Sequence, residues 1–392
     1  MPEYVIVGGG PAGHSAARTL SEEGAQDILL VSRDPDPPYD RTAVTKGYLR
    51  GETSHDEVLL GALDGVDLRV RTSVTKVDTS GHTVTLADRS EASYGKLLLA
   101  TGANVHRLRV DGAALEGIHY LRTLRTADEV REDAEGAGHV LLVGGSYIAT
   151  EVAASLTAIG KRCTIVMLEE VVLERTFGKQ AGGYFQRVLT DHGVEIHPQQ
   201  ELARFEGEGR VSTAVMQSGD RYEADVVVVG AGVQPDVSLA RAAGLDLGER
   251  GGVLVDARLR TSAPDVWAAG DIAEYESVVH GGDRLRIEHW DVAETQGHTA
   301  GLSMLGRDQV HDVIPYFFSD LADWTSMEYI GPAYSWTEEI VRGSIDDAEF
   351  TIYYIDGDRL AGALSVGRGD DLERARELLV SRQPVDRAEL AG

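Results

Sequence analysis

The feature that most constrains the fold of this 392-residue chain is a pattern that occurs twice: a short apolar strand, a glycine-rich turn, a helix and a second short strand. The first copy runs from Tyr4–Val7 through Gly8-Gly9-Gly10-Pro11-Ala12-Gly13 and a helix from Pro11 to about Glu23, and ends in a strand at Ile28–Val31. About 135 residues later the order recurs: His139–Val143, the turn Gly144-Gly145-Ser146-Tyr147-Ile148-Ala149, a helix from Thr150 to about Ile159, and a strand at Cys163–Leu168. Short, continuously apolar strands joined by helices belong to parallel sheets covered on both faces. A repeat distance this long duplicates a whole domain and excludes a solenoid. The predicted fold is therefore α/β, with two Rossmann-like dinucleotide-binding domains. The segments LLLATGA (Leu97–Ala103) and VVVVGAG (Val226–Gly232) are each predicted to be the strand that closes its sheet. From about Pro315 the chain turns aromatic and β-prone and ends in a charged helix over 370–381, which predicts a small C-terminal α+β domain. The expected divisions are 1–110 with 239–314 for the first nucleotide domain, 111–238 for the second and 315–392 for the tail.

The first turn carries the full G-x-G-x-x-G pattern. Gly8 makes the tight turn, Gly10 lets the backbone approach a pyrophosphate, Gly13 permits close helix packing, and the helix start at Pro11 and Ala12 offers N–H donors and partial positive charge. In the second turn the third position is Ser146, whose side chain is expected to crowd a pyrophosphate, and the sixth is Ala149, which the pattern tolerates. The acid that ends the second strand and holds a ribose is less clear in the first unit. There VSRDPD offers Arg33, then Asp34, so either Asp34 takes the ribose or Arg33 contacts the adenine. In the second unit Glu169 and Glu170 follow the strand, about 25 residues after Gly144. A carboxylate there accepts from ribose hydroxyls and repels a 2′-phosphate, which favours NADH over NADPH, and no neighbouring arginine pair argues otherwise.

Composition removes several classes of function. A formal net charge of -27 repels phosphate backbones and anionic membranes, so nucleic acid and membrane partners are not expected. No run approaches the roughly 20 apolar residues of a membrane span, and MPEYVIVGGG enters a strand at once with no signal peptide, so the expected compartment is the cytoplasm. No metal site is expected. The single cysteine, Cys163, lies in the apolar run CTIVML and excludes an intramolecular disulfide.

The series GGGPAG, PPYDRTAVTKGYL, LLLATGA, GGSYIATEVAASL, VVVVGAGVQPD, WAAGDIA, RIEHWDVAETQG and YFFSDL resembles the FAD-dependent pyridine-nucleotide oxidoreductases over nearly the whole chain. Within them it is similar to the ferredoxin and putidaredoxin reductases of oxygenase systems, with a related look of apoptosis-inducing factor. The resemblance implies a tightly but non-covalently bound FAD contacted by Arg41, Lys46, Thr101, Gly102 and Asp271, with Trp290 by the isoalloxazine and His289 either at the cofactor or capping and positioning that segment. It implies NADH at Gly144, Gly145, Ser146, Tyr147, Ile148 and Gly232. It further implies catalytic roles for Lys46 and Glu151, a pair between the flavin N5 and the nicotinamide, and for Trp290 as a shield or electron relay. Asp271 has the alternative reading of a helix N-cap.

Disulfide reductases and NADH peroxidases on this architecture need cysteine beside the flavin, whereas here the segment between Arg41 and Tyr48 reads TAVTKG. Electrons must then leave from the flavin itself, and an iron-sulfur ferredoxin is the leading acceptor for a monomer or homodimer of this kind. Such ferredoxins are acidic, and a chain at -27 repels them unless arginines cluster on the docking face. Two alternatives share these motifs: a reductase of a small quinone or a monodehydroascorbate-like radical, and a redox-responsive binding protein like apoptosis-inducing factor.

Overall fold

A computed structural model describes residues 2–392. The strand Tyr4–Val7 sits at the centre of a five-stranded parallel sheet in the order Val266–Ala268, Lys96–Leu99, Tyr4–Val7, Ile28–Val31, Val66–Arg69. Val5 and Ile6 are wholly buried, as expected of strands covered on both faces. The second unit repeats this architecture in the order Glu195–His197, Arg162–Val166, His139–Val143, Val226–Val229, Ile118–His119, again all parallel.

The two glycine-terminated segments do not close their sheets. Lys96–Leu99 and Val226–Val229 each lie beside the first strand of their unit, and Val266–Ala268 and Ile118–His119 form the outer edges. The burial of Leu97, Leu98 and Leu99, and of all four valines from Val226 to Val229, is that of interior strands with a neighbour on either side. The second helix also starts earlier than the pattern suggests, at Tyr147, and runs to Ala158; the strand after it is Arg162–Val166. Ser146 is the N-cap, with extended backbone, so the glycine turn is shorter than the motif.

Pro11, at the first helical position of Pro11–Glu22, has the fixed φ and missing N–H that suit a helix start. This helix packs along Trp290–Met304 so tightly that a Cβ on Gly297 would lie 2.2 Å from the Ala12 carbonyl oxygen. That contact sets Trp290 beside the first glycine turn.

The C-terminal region is a five-stranded antiparallel sheet in the order Tyr316–Leu321, Thr325–Ile330, Arg359–Val366, Glu349–Asp356, Glu338–Ser344, covered by the helix Asp371–Ser381. Along its edge strand, alternation sends Phe317 and Ser319 to one face and Phe318 and Asp320 to the other. Among the described residues no helix is long and apolar enough to cross a membrane.

Candidate functional site

A cleft of about 810 Å³ opens at the carboxyl ends of the first sheet, where doubly wound folds bind their ligands. Its floor is the turn Gly8–Ala12, and Gly8 has φ +124° with a notional Cβ 2.0 Å from the Ala100 carbonyl oxygen. A Cβ on Gly13 would lie 1.8 Å from the Gly8 carbonyl oxygen, whereas Gly10 meets nothing closer than Arg41 Nε at 3.8 Å. Two glycines thus let the turn close and the third presents bare backbone to the cleft, the surface a pyrophosphate requires. Gly13→Ala is expected to push the helix off the turn, and purified protein should then show a reduced flavin-to-protein absorbance ratio and a lower melting temperature.

Along the walls the charged groups are mostly paired. Arg41 donates to Asp34 at 2.6 Å and to the Tyr39 hydroxyl at 2.9 Å, and that hydroxyl donates to the same Asp34 oxygen at 3.2 Å. The other Asp34 oxygen is buried without a partner among the described residues, so it can still accept from a sugar hydroxyl. Arg33 also lines the cleft, donating to Asp236 at 2.9 Å and Asn104 at 2.6 Å. Thr101 gives its hydroxyl to the Asp236 carbonyl, and Gly102, at φ +70°, turns the chain beside Arg122. Asp271 accepts from Arg122 at 2.8 Å, and no helix begins there; the N-cap alternative falls. Sequence reasoning missed Arg122, which lies far along the chain from the motifs it braces, and gave no role to Asp236 at the end of VVVVGAGVQPD.

His289 and Trp290 line the far end of the cleft, where the helix Trp290–Met304 begins. Burial lowers His289 to about 4, so its ring is neutral, and its Nδ1 is buried without a partner among the described residues. The His289 ring lies 4.4 Å from Phe317, which meets Tyr147 edge-on at 5.3 Å; Tyr147 in turn meets Phe177 at 5.8 Å. An aromatic chain therefore joins the first cleft to the second glycine turn.

Lys46 and Glu151 meet beside this chain, and the site holds more than the expected pair. The Lys46 ammonium is 3.7 Å from Glu151 and 3.4 Å from Asp320, and lies over the Phe318 ring at 4.9 Å. Both Glu151 oxygens accept hydroxyls at 2.5 Å, one from Thr45 and one from Ser319. With side chains only 14% and 12% exposed, Lys46 and Glu151 interact in a partly desolvated setting in which charge acts strongly. One cation between two carboxylates joins the segment after the strand Ile28–Val31, the second unit's helix and the edge strand of the C-terminal sheet. The alternation in YFFSDL offered a signal for Ser319 and Asp320, but only with the fold in hand does it point at Lys46.

At the second turn the Ser146 hydroxyl donates to the Gly230 carbonyl at 2.9 Å and is tied to the strand end, and Ala149 packs against Gly230. Ile148 is half-buried in the helix's first turn, and Gly232 bends the chain at φ +85°. The two glutamates separate. A Cβ on Gly145 would lie 3.5 Å from the Glu169 carboxylate, so Glu169 stands beside the turn, whereas Glu170 turns outward to Lys179 at 2.5 Å. Among the described residues no arginine pair stands here, but a single arginine does: Arg175 pairs with Glu169 at 2.6 Å. The helix over 174–191 brings Arg175 and Lys179 to the strand end, which spacing alone did not show. Cys163 is wholly buried and its thiol is raised to about 11 by burial, which leaves it unreactive.

Two parallel dinucleotide sheets, an intact glycine turn under an open cleft and a lysine-carboxylate junction between the units define a two-nucleotide oxidoreductase. The chain belongs to the pyridine nucleotide-disulphide oxidoreductase family, which matches residues 2–297, and residues 316–392 match the reductase C-terminal family. It is 32% identical to the 5,5′-dehydrodivanillate O-demethylase ferredoxin reductase subunit of Sphingobium sp., over 100% of this chain and 97% of that protein. It is likewise 32% identical to the ferredoxin--NAD(+) reductase component of an anthranilate 1,2-dioxygenase system of Burkholderia cepacia, over 99% and 96% of the two chains. Among solved structures it is similar to the reductase in the covalent putidaredoxin reductase-putidaredoxin complex, with a TM-score of 0.93, 27% identity and coverage of 99% of this chain and 95% of that one.

The family name carries pyridine-nucleotide and disulphide chemistry, and only the first fits this chain. With one buried cysteine no dithiol can form, while bare Gly10, the unpartnered Asp34 oxygen and the unpartnered His289 nitrogen suit a flavin dinucleotide in the first cleft.

Proposed function

We propose that this chain is an FAD-dependent NADH reductase that passes electrons to an iron-sulfur ferredoxin serving an oxygenase. Each of the relatives reported above is named as a ferredoxin reductase or as the reductase of a complex with putidaredoxin. The observation that carries the reading is the Lys46–Glu151–Asp320 junction, a partly buried cation held between the first unit, the helix of the second turn and the C-terminal sheet, in a chain whose single cysteine is Cys163.

Bound flavin supplies the step that nicotinamide lacks, accepting a hydride and releasing single electrons. The protein's residues position and tune it. The backbone at Gly10 and the start of the helix Pro11–Glu22 hold the pyrophosphate. Asp34 accepts a ribose hydroxyl through its unpartnered oxygen, and Asp271, braced by Arg122, accepts from the ribityl chain. Lys46 offers positive charge where negative charge develops on hydride arrival, and Glu151 and Asp320 keep it aimed. At the second turn Glu169 accepts from the nicotinamide dinucleotide's adenosine ribose and disfavours a 2′-phosphate, so NADH is the preferred donor. Tyr147 and Ile148 would flank the dinucleotide, and Trp290, which lines the first cleft, would shield the flavin.

The test is NADH-driven cytochrome c reduction with and without added [2Fe–2S] ferredoxins from the same organism. Stimulation of about tenfold or more by one of them is expected. Equal rates with and without every ferredoxin, together with rapid quinone reduction, would reject this acceptor in favour of a small one.

A further inference from the structure

We propose that the seam between the first unit and the C-terminal sheet holds a binding site for an aromatic carboxylate, separate from both glycine turns. The site is a cleft of about 1080 Å³ that shares no lining residue with the cleft over Gly8–Ala12. One wall is the small sheet of Val253–Val255, Ala273–Ser277 and Asp283–Leu285. The other is the strand Arg359–Val366, the end of the helix Asp371–Ser381 and the loop at Tyr334.

Three observations carry it. First, much of the lining is apolar: Leu285, Leu360 and Leu379 are buried along the cleft, and Tyr334 stands in its wall 47% exposed. Such a surface takes a hydrocarbon or aromatic body. Second, four arginines line the same cleft, and three of them keep donors unspent. Arg250 lies over the Tyr334 ring at 3.8 Å and uses only Nε, toward the Arg284 carbonyl, so its terminal nitrogens have no partner among the described residues. Arg359 and Arg382 come no nearer to a carboxylate than 3.8 Å, to Asp358, and 3.9 Å, to Asp283, beyond hydrogen-bonding distance. Third, His280 lines the cleft only 9% exposed, with Nε2 unpartnered among the described residues. The Ser277 hydroxyl accepts from the His280 backbone N–H at 3.4 Å and meets Nδ1 at 2.8 Å, so it donates to Nδ1 and leaves the ring proton on Nε2. A buried N–H facing a cleft is satisfied only by an acceptor that enters it.

The backbone brings these groups together. Arg382 ends its helix in left-handed backbone at φ +52°, and its guanidinium lies against Gly281, where a Cβ would come within 2.9 Å of Nη1. The Tyr334 hydroxyl donates to the Arg286 carbonyl at 2.9 Å and accepts from the Arg286 N–H at 3.0 Å, which ties its loop to the first unit. Carboxylates line the cleft as well. Glu274 is buried and accepts from the backbone N–H groups of Arg250 and Gly252, Asp283 is the loose partner of Arg382, and Glu249 and Asp356 complete the set. Four acids against four arginines balance the cleft, which therefore lacks the negative field that a net charge of -27 gives the molecule as a whole. A carboxylate suits the guanidinium fork and the imidazole N–H, while its ring rests on the leucines and Tyr334. A bare inorganic anion leaves the apolar lining unused.

The experiment is isothermal titration of the FAD-loaded full chain with 2-naphthoate and, in parallel, with uncharged 2-naphthamide and inorganic phosphate. One 2-naphthoate per chain is expected to bind, about tenfold or more tighter than either control, and to raise the melting temperature. Arg250→Ala and Arg382→Ala should each weaken it about tenfold at unchanged flavin content, and saturating NAD+ should leave it unchanged. If Arg382→Ala loses flavin or stability, Arg359→Ala, at a position 52% exposed, takes its place in the comparison. Equal affinity for 2-naphthamide or phosphate, affinity unchanged in the arginine variants, displacement by NAD+, or no binding up to about 10 mM would each overturn the proposal.

Discussion

Replacing Lys46 by alanine is expected to slow anaerobic reduction of the bound flavin by NADH about a hundredfold, without loss of flavin. Lys46 stands where the first unit, the second unit's helix and the C-terminal sheet meet, and it is held by two carboxylates at 3.4 and 3.7 Å with its own side chain only 14% exposed. A preorganised charge in such a site acts on the transition state without reorganisation, and removing one comparable donor costs about two to three orders of magnitude in other enzymes. Stopped-flow bleaching of the flavin reads this step alone. Asp320→Asn should have a smaller effect, because Glu151, fixed by Thr45 and Ser319, still holds the lysine. An unchanged rate in Lys46→Ala would place the lysine outside the reaction and leave its carboxylate partners with a purely structural task.

Acid should destabilise this protein well above the range where carboxylates protonate. His280 and His311 are buried, and burial lowers each to about 4 from the ordinary value near 6.5. The His280 Nε2 and both His311 nitrogens have no partner among the described residues, and His311 lies edge-on to Tyr275 at 5.1 Å. The native state keeps these rings neutral until the pH nears 4, whereas the unfolded chain protonates them below about 6.5. Their contribution is therefore fully present above about 6.5 and is lost progressively as the pH falls toward 4. Each costs about 1.4 kcal/mol per pH unit, so the pair costs roughly 3 kcal/mol per unit. For a chain of this size that is about 4 °C of melting temperature per pH unit. Differential scanning between pH 7 and pH 5 should show the fall, and His311→Leu should flatten the slope. A variant slope equal to that of the native protein would exclude His311 as a source of acid lability.

The parts of the molecule legible in the sequence were those governed by local chemistry. Apolar runs such as Tyr4–Val7 and His139–Val143 can only be buried strands, and G-G-G-P-A-G between a strand and a helix has few other uses. The positions of Leu97–Leu99 and Val226–Val229 within their sheets were not legible, because strand order depends on crossovers that leave no mark on the strand itself. The same limit applied to the site. Lys46 and Glu151 were found through motifs, but Asp320 lies 274 residues beyond Lys46 on an edge strand of a different sheet. Likewise Glu169 and Glu170 are equivalent in sequence, and the helix over 174–191 makes them different by presenting Arg175 to one and Lys179 to the other.

On the proposed function two electrons enter from NADH as a hydride and leave the flavin one at a time for a ferredoxin, the proton passing to solvent. The measurement that tests it most directly is an anaerobic titration in which protein reduced by a known amount of NADH is mixed rapidly with oxidised [2Fe–2S] ferredoxin. The flavin is expected to recover its colour on a catalytic timescale while two ferredoxins are reduced for each NADH consumed. A flavin that bleaches with NADH but stays reduced in the presence of ferredoxin would contradict it.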